Sequence, residues 1–287
     1  MEPSTYNNLS CYQEIKPLSG KENVILVKNT VDGKKYVKKR LKSYDLGVYK
    51  ALAEKPVENM PKIYGLYFDN GSLIVIEEYI EGTTIKEHLA TNKLFSEAVT
   101  TEVAKQLCKT LNKLHRCKPA IIHRDIKPSN VIITPDNRVV LIDLNAAKFE
   151  KKHENTDTVL LGTVGYAAPE QYGFGSSTPQ TDIYALGVLM NIMLTGFLPS
   201  EKLGEGKLKR IIKRCVELNP KDRYGSADKL SKDLKRYKSR YISWLPPGFR
   251  SFNIFKMLVA CLGYYAIVWS SYELALDFEA EGSICIA

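Results

Sequence analysis

The sequence predicts an α+β chain, antiparallel β structure first and helices after it, with a further apolar helix towards the C-terminal end. Three observations carry this. Residues 11 to 80 hold short β-branched runs separated by turn chemistry, and residues 96 to 241 hold apolar positions at helical spacing. Residues 252 to 272 form an apolar run with a single charge, Lys256. At 287 residues, 44% hydrophobic and 25% charged, the chain has material for a large core and is not of disordered composition.

In chain order, residues 1 to 10 are a polar tail without a signal-peptide pattern. Val24 to Val27, a turn at Thr30-Val31-Asp32-Gly33, and Lys35 to Leu41 predict a hairpin. Alternation puts Val37 and Lys39 on one face of the second strand and Lys38 on the other. Tyr44 to Leu52 reads as a short helix, and Leu73 to Ile76 as a buried strand running into Glu77, an acid that would need a partner there. Ser96 caps a long helix whose apolar face is Val99, Val103, Leu107, Leu111 and Leu114. Tyr184 to Leu194, between Asp182 and Gly196, is apolar nearly all round and predicts a helix buried on every side. Ser226, Leu230, Leu234, Tyr237 and Tyr241 mark a last amphipathic helix, broken by the linker Trp244-Leu245-Pro246-Pro247-Gly248.

The net charge is +9, and much of the basic excess falls in Lys34 to Lys42 and Lys202 to Lys256. The second stretch precedes the apolar run, so membrane lipid rather than nucleic acid is the expected partner. About 21 residues at 1.5 Å each reach roughly 31 Å, enough for a hydrocarbon core. Basic residues precede the run, and Glu273, Asp277, Glu279 and Glu281 follow it, which puts the preceding domain on the cytoplasmic side. A helix packed on the larger lobe is the alternative. The six cysteines show no paired spacing, so neither zinc nor a redox dithiol is expected, and they read as reduced.

The chemistry concentrates in His123-Arg124-Asp125-Ile126-Lys127-Pro128-Ser129-Asn130, a loop ahead of two short β-branched runs, Val131 to Thr134 and Val139 to Ile142. With Pro135 to Arg138 as a four-residue turn, 131 faces 142, 132 faces 141, and Asn130 faces Asp143. An amide oxygen and a carboxylate would then meet at the open end, hard ligands suited to Mg²⁺.

Histidine-arginine-aspartate with an asparagine five residues after the aspartate resembles the catalytic loop of protein kinases, and Lys127-Pro128 resembles the serine/threonine-specific version. The chain is thereby similar to bacterial, eukaryotic-like serine/threonine protein kinases. The resemblance covers residues 11 to 240, with a small lobe at 11–80 and a large lobe at 81–240. A linker at 241–251, an expected transmembrane helix at 252–272 and an acidic tail at 273–287 follow. It implies a bilobal fold, ATP with Mg²⁺ or Mn²⁺, and phosphorylation of serine or threonine hydroxyls on protein substrates.

Position by position, the resemblance makes Asp125 the acceptor of the substrate hydroxyl proton and Lys127 the group that neutralises the γ-phosphate, with Asn130 and Asp143 holding the metal. Lys39 matches the phosphate-contacting lysine, with Val24 and Val37 bounding the nucleotide and backbone groups of Glu78 and Ile80 meeting adenine. The family usually carries an apolar residue or threonine where Glu77 stands. A glutamate on the following helix normally pairs with the lysine; Asp45 and Glu54 both remain open for that role. Of the glycine-rich loop only Gly20 is retained. Asp143-Leu144-Asn145 replaces aspartate-phenylalanine-glycine, the asparagine being the residue expected to take a positive φ.

Gly162 to Glu170 closes an activation segment, and Glu170 is matched to Arg223 as a buried ion pair. Thr156 and Thr158 are the expected sites of autophosphorylation, for which a homodimer is the natural arrangement, and Arg124 would receive the phosphate. Thr163 is either a further site or a contact to Asp125 and Lys127. Two other readings compete: a pseudokinase binding module, suggested by the eroded glycine loop, and a small-molecule kinase of the aminoglycoside or choline type. The retained Lys39, Asp125, Asn130 and Asp143 argue against the first, and the segment 162 to 170 against the second.

Overall fold

The computed structural model describes residues 9–18, 21–91, 93–150, 163, 165–173 and 175–242, together with three helical pairs at 262–263, 265–266 and 269–270. Residues 1–235 and 236–287 form two separate units.

The first unit opens with β1 (Tyr12–Leu18), β2 (Lys21–Asn29) and β3 (Lys35–Leu41), then α1 (Leu46–Glu54), β4 (Ile63–Asp69) and β5 (Ser72–Glu78). These strands make one antiparallel sheet in the order β1-β2-β3-β5-β4. The predicted hairpin is β2–β3, with Lys28 opposite Lys35. Its turn closes because Asn29 Oδ1 accepts the Val31 N–H at 2.8 Å and Gly33 takes a φ of 71°, which glycine adopts without a Cβ penalty. Alternation holds in β3: Val37 and Lys39 are buried, while Lys38 turns the other way and pairs with Glu14 at 2.8 Å. β5 is buried from Ser72 to Glu77, as a continuous apolar strand between two neighbours must be. β4 escaped the sequence reading because its Tyr, Gly and Phe residues blur the alternation.

The larger lobe begins with β6 (Thr83–Thr84) and α2 (Ile85–Ala90), whose capping box joins Thr84 and Glu87. In α3 (Glu97–His115) Ser96 Oγ accepts the Val99 N–H at 3.3 Å, and Val103, Leu107, Leu111 and Leu114 are buried. Val99 is not part of that face; it is 45% exposed. Each four-residue step advances about 40° beyond a full turn, so three steps carry position 99 off the stripe and Thr100 takes its place in the core.

β7 (Ile121–Ile122), β8 (Val131–Ile133), β9 (Val139–Leu141) and β10 (Lys148–Phe149) frame the loops of interest, β7 pairing with β10 and β8 lying between β6 and β9. The β8–β9 register differs by one from the expectation: Val131 lies opposite Leu141 and Ile133 opposite Val139. The turn holds three residues, not four. Thr134 pairs with Arg138 through a backbone bond of 3.0 Å and a side-chain bond of 3.0 Å, and Asn137 takes the left-handed conformation at φ 63°. Ile142, not Asp143, therefore lies opposite Asn130, donating to its carbonyl at 2.9 Å.

α4 (Pro179–Thr195) is the central helix, buried from Thr181 to Met193 except at Tyr184 and ended by Gly196 in the left-handed conformation. A Cβ at Gly187 would run into Cys215, so this glycine lets α5 (Lys209–Cys215) pack closely. α6 (Ala227–Ile242) follows Ser226 and buries Leu230 and Leu234; the side chains at 237 and 241 lie outside the described residues.

In the second unit the six described residues beyond α6 are helical and exposed, and Tyr265 and Trp269, four apart, stack with ring centroids 6.1 Å from each other. Among the described residues no helix is long and apolar enough to cross a membrane. Most of the predicted span at 252–272 lies outside the described residues.

Candidate active site

The site is built on a loop held from below. The buried carboxylate of Asp182, in the first turn of α4, accepts the backbone N–H of His123 at 3.0 Å and of Arg124 at 2.8 Å, and meets the His115 ring at 2.8 Å. Burial pushes this carboxyl up, but the His115 ring and the donated N–H groups more than offset that and hold it below the ordinary value. The same clamp keeps Arg124 at a φ of 68°, a conformation that costs a non-glycine residue about 1–3 kcal/mol. Sequence reasoning gave Asp182 no role beyond flanking a helix, because nothing in its spacing points to a loop 58 residues earlier.

Above the clamp, Asp125 sits in a closed network. Lys127 Nζ lies 2.7 Å from Asp125 Oδ2 and donates to Thr163 Oγ1 at 2.7 Å, while Thr163 donates to Asp125 Oδ1 at 2.9 Å. Asn130 Nδ2 donates to Asp125 Oδ2 and to its carbonyl, each at 2.9 Å. Both carboxylate oxygens are therefore oriented by fixed donors, the condition for a positioned proton acceptor. Of the two roles open for Thr163 the geometry matches the contact to Asp125 and Lys127; Thr156 and Thr158 lie outside the described residues. A cavity of about 490 Å³ in front of this network is lined by Asp125, Thr163, Asn145, Asn23, Arg40 and Lys42, among others.

Asp143 takes the left-handed conformation itself, at φ 72°, and Asn145 does not, contrary to the expectation. The asparagine is spent on side-chain bonding: Tyr49 of α1 donates to its Oδ1 at 3.2 Å, and its N–H donates to Asp143 Oδ1 at 3.3 Å. Asn130 and Asp143 supply an amide oxygen and a carboxylate, a donor set that fits a hard divalent cation. Among the described residues no group of three or more acidic, histidine or cysteine side chains forms a cage. An ion here would take its remaining ligands from phosphate and water, as Mg²⁺ does.

Lys39 is where the sequence expectation fails in an instructive way. Neither Asp45 nor Glu54 pairs with it. Asp45 caps α1, accepting the Gly47 and Val48 N–H groups at 3.0 and 3.3 Å, and Glu54 is exposed at the far end of that helix. The partner is Glu77 on β5, with Nζ 2.5 Å from Oε1. β3 and β5 place Val37 opposite Glu77 and Lys39 opposite Val75, so the pair is a diagonal between neighbouring strands on one face. Burial pulls the lysine down, but the charges of Glu77 and Asp143 outweigh it and keep the ammonium protonated; burial pushes Glu77 up against the pull of Lys39. Among the described residues the ammonium has this one carboxylate contact, so its other N–H groups are available to an anion. The sequence did carry a signal: an acid ending a buried strand, two residues out of step with a lysine on its neighbour.

Val24 lies opposite Lys39, and Val37 opposite Leu26 on one side and Glu77 on the other. The Glu78 N–H is used on the Lys62 carbonyl at 2.8 Å, so it is not open to a ligand, and Ile80 is buried. Gly20 lies outside the described residues. In the large lobe Arg223 grips Glu170 with both terminal nitrogens, at 2.8 and 2.9 Å.

A family profile described as a protein kinase domain matches residues 20–244. The chain is 28% identical over 209 residues to a probable serine/threonine-protein kinase of Clostridium acetobutylicum, covering 64% of this chain and 32% of the relative. It is 32% identical over 192 residues to serine/threonine-protein kinase D of Synechocystis, covering 59% and 37%. With serine/threonine-protein kinase PrkC of Bacillus subtilis it shares 31% over 163 residues, covering 56% and 24%. The chain thus spans about a third of the length of the curated relatives it matches. The strand-rich small lobe, the helical large lobe and the profile over 20–244 agree: this chain belongs to the protein kinase family.

Proposed function

We propose that the chain transfers the γ-phosphoryl group of ATP to serine or threonine hydroxyls of proteins. The observation that carries this is the network in which Lys127 and Thr163 hold the Asp125 carboxylate, a few residues from the oxygen donors Asn130 and Asp143. In that reading Asp125 accepts the proton of the substrate hydroxyl as the oxygen attacks phosphorus. Lys127 sits between acceptor and phosphate and offsets the developing charge. Lys39 holds the phosphates from the sheet side. Asn130 and Asp143 would hold a Mg²⁺ ion, which when bound neutralises phosphate charge. The family names of the relatives support a serine/threonine acceptor. Incubating the purified chain with labelled ATP, Mg²⁺ and a generic protein should leave label on serine or threonine. Label on an aminoglycoside or choline alone, or none at all, would contradict the assignment.

We further propose that residues 252–272 anchor the chain in a membrane with the kinase domain cytoplasmic. Leu262, Tyr265 and Trp269 are 68%, 65% and 53% exposed, so apolar and aromatic surface is offered outward. The full chain should pellet with membranes after a high-salt wash, and truncation near Tyr241 should release it. Recovery of the full chain in a detergent-free supernatant would contradict the anchor. Autophosphorylation between two copies is expected at Thr156 or Thr158, and phosphate found only outside residues 143–170 would count against it.

A further inference from the structure

We infer that Glu77 is the positioning residue of the phosphate-binding lysine, replacing the helix acid, so that Lys39 is held by the sheet alone. The inference rests on the nucleotide-using reading above and adds to it the residue that makes the lysine competent. Lys39 and Glu77 are 4% and 6% exposed and sit on adjacent hydrogen-bonded strands. Their separation is fixed by strand register, not by the placement of a helix. Every acid on α1 is accounted for elsewhere: Asp45 caps the helix and Glu54 is exposed at its end. What α1 sends towards the site is Tyr49, fully buried, whose hydroxyl is bonded to Asn145. In this chain a displacement of α1 would loosen the Tyr49–Asn145 contact and leave the lysine where it is.

The geometry also says why a glutamate is needed. Among the described residues the charged groups acting on Lys39 are Glu77 from β5 and Asp143 from the loop after β9, and the same two carboxylates act on the Tyr49 hydroxyl of α1. Asp143 is one of the two oxygen donors offered to a metal. Without Glu77 the ammonium has, among the described residues, only Asp143 to turn to, and the two groups that should each face a phosphate would neutralise one another. With Glu77 in place the lysine is drawn towards the sheet, and its remaining N–H groups, which have no further partner among the described residues, are left for phosphate oxygens. The carboxylate occupies the inner end of β5 just before Glu78 and Ile80, so it also gives the back of the nucleotide site a polar wall.

The test compares ATP with adenosine, because only ATP has phosphates for Lys39 to hold. Binding of each, with and without Mg²⁺, is measured by calorimetry on the full chain and on Glu77→Gln, Glu77→Thr, Asp45→Asn and Glu54→Gln. Gln matches the shape of Glu, Thr suits a buried strand, and Asn retains the cap of α1. Glu77→Gln, or Glu77→Thr should the first not fold, is expected to weaken ATP about tenfold or more while adenosine stays within about twofold. Asp45→Asn and Glu54→Gln are expected to bind both as the wild type does. The inference is overturned if both Glu77 variants bind ATP normally, if they lose adenosine and ATP alike, or if Asp45→Asn or Glu54→Gln shows the ATP-selective loss. If the wild type binds ATP but phosphorylates nothing, the role of Glu77 stands and the transferase reading fails. If the wild type binds no ATP, both fall.

Discussion

Two buried ion pairs, one in each lobe, have the same charges and opposite states of completion. Arg223 spends its donors fully: both terminal nitrogens reach Glu170, and the guanidinium also reaches the carbonyls of Glu217, Gln180 and Leu218 at 2.7 to 3.0 Å. Its plane also lies 4.8 Å from the Tyr184 ring centroid. Among the described residues Lys39 has one carboxylate contact and nothing more. A buried charge is tolerated only when its partners satisfy it, so the first pair needs nothing more and the second has donors left for a ligand. The first is structure, and the second is the site of the function proposed above.

Replacing both members of each pair separates these roles. In the large lobe, Arg223→Met with Glu170→Gln strands three backbone carbonyls that the guanidinium served, at about 1–3 kcal/mol each. We expect thermal unfolding to fall by on the order of 10 °C, with ATP affinity in the surviving folded fraction unchanged. In the sheet, Lys39→Met with Glu77→Gln removes both charges together and strands no third group. Its melting temperature should stay within a few degrees while phosphotransfer drops about a hundredfold or more. A large loss of stability in the sheet variant with activity intact would reverse the comparison.

Smaller changes sharpen it. Tyr49→Phe removes the hydroxyl that donates to Asn145 and should cost about 1 kcal/mol, without the ATP-selective loss expected of Glu77→Gln. Acid should act first on the large lobe. The buried His123 ring is held below its ordinary value by desolvation, so the unfolded chain binds the extra proton, and stability falls as pH drops below about 6.5. Asp182 is also held below its ordinary value, so its contribution is present above about pH 4 and is lost as pH falls further. Denaturant titrations at pH 7.5 and 5.5 on wild type and His123→Phe should show the decline only in the wild type.

The difference between the lobes also marks what a sequence can disclose. The catalytic loop, the β2–β3 hairpin, α3 and α4 were legible, because each is signalled by local periodicity, turn chemistry or a contiguous motif; the Glu170–Arg223 match, 53 residues apart, came from the family resemblance. The partner of Lys39 was not, since it depends on which strands become neighbours: β5 joins β3 across α1 and β4. The one-residue shift at Asn130 was missed for a nearer cause, Thr134 closing a three-residue turn with Arg138 where four residues were expected. The clamp of Asp182 on the loop has no local signal. Glu77 had half of one, an acid where burial demanded a partner.

Phosphoryl transfer as proposed requires the network around Asp125 to perform chemistry. The most direct measurement is the rate of label transfer from ATP to a protein hydroxyl by wild type and Asp125→Asn, with ATP affinity measured on the same samples. Asparagine preserves the shape and can still meet Lys127 and Thr163, but it cannot take up a proton. We predict unchanged ATP binding and a rate lower by about a hundredfold or more. Wild-type turnover in Asp125→Asn would contradict the account.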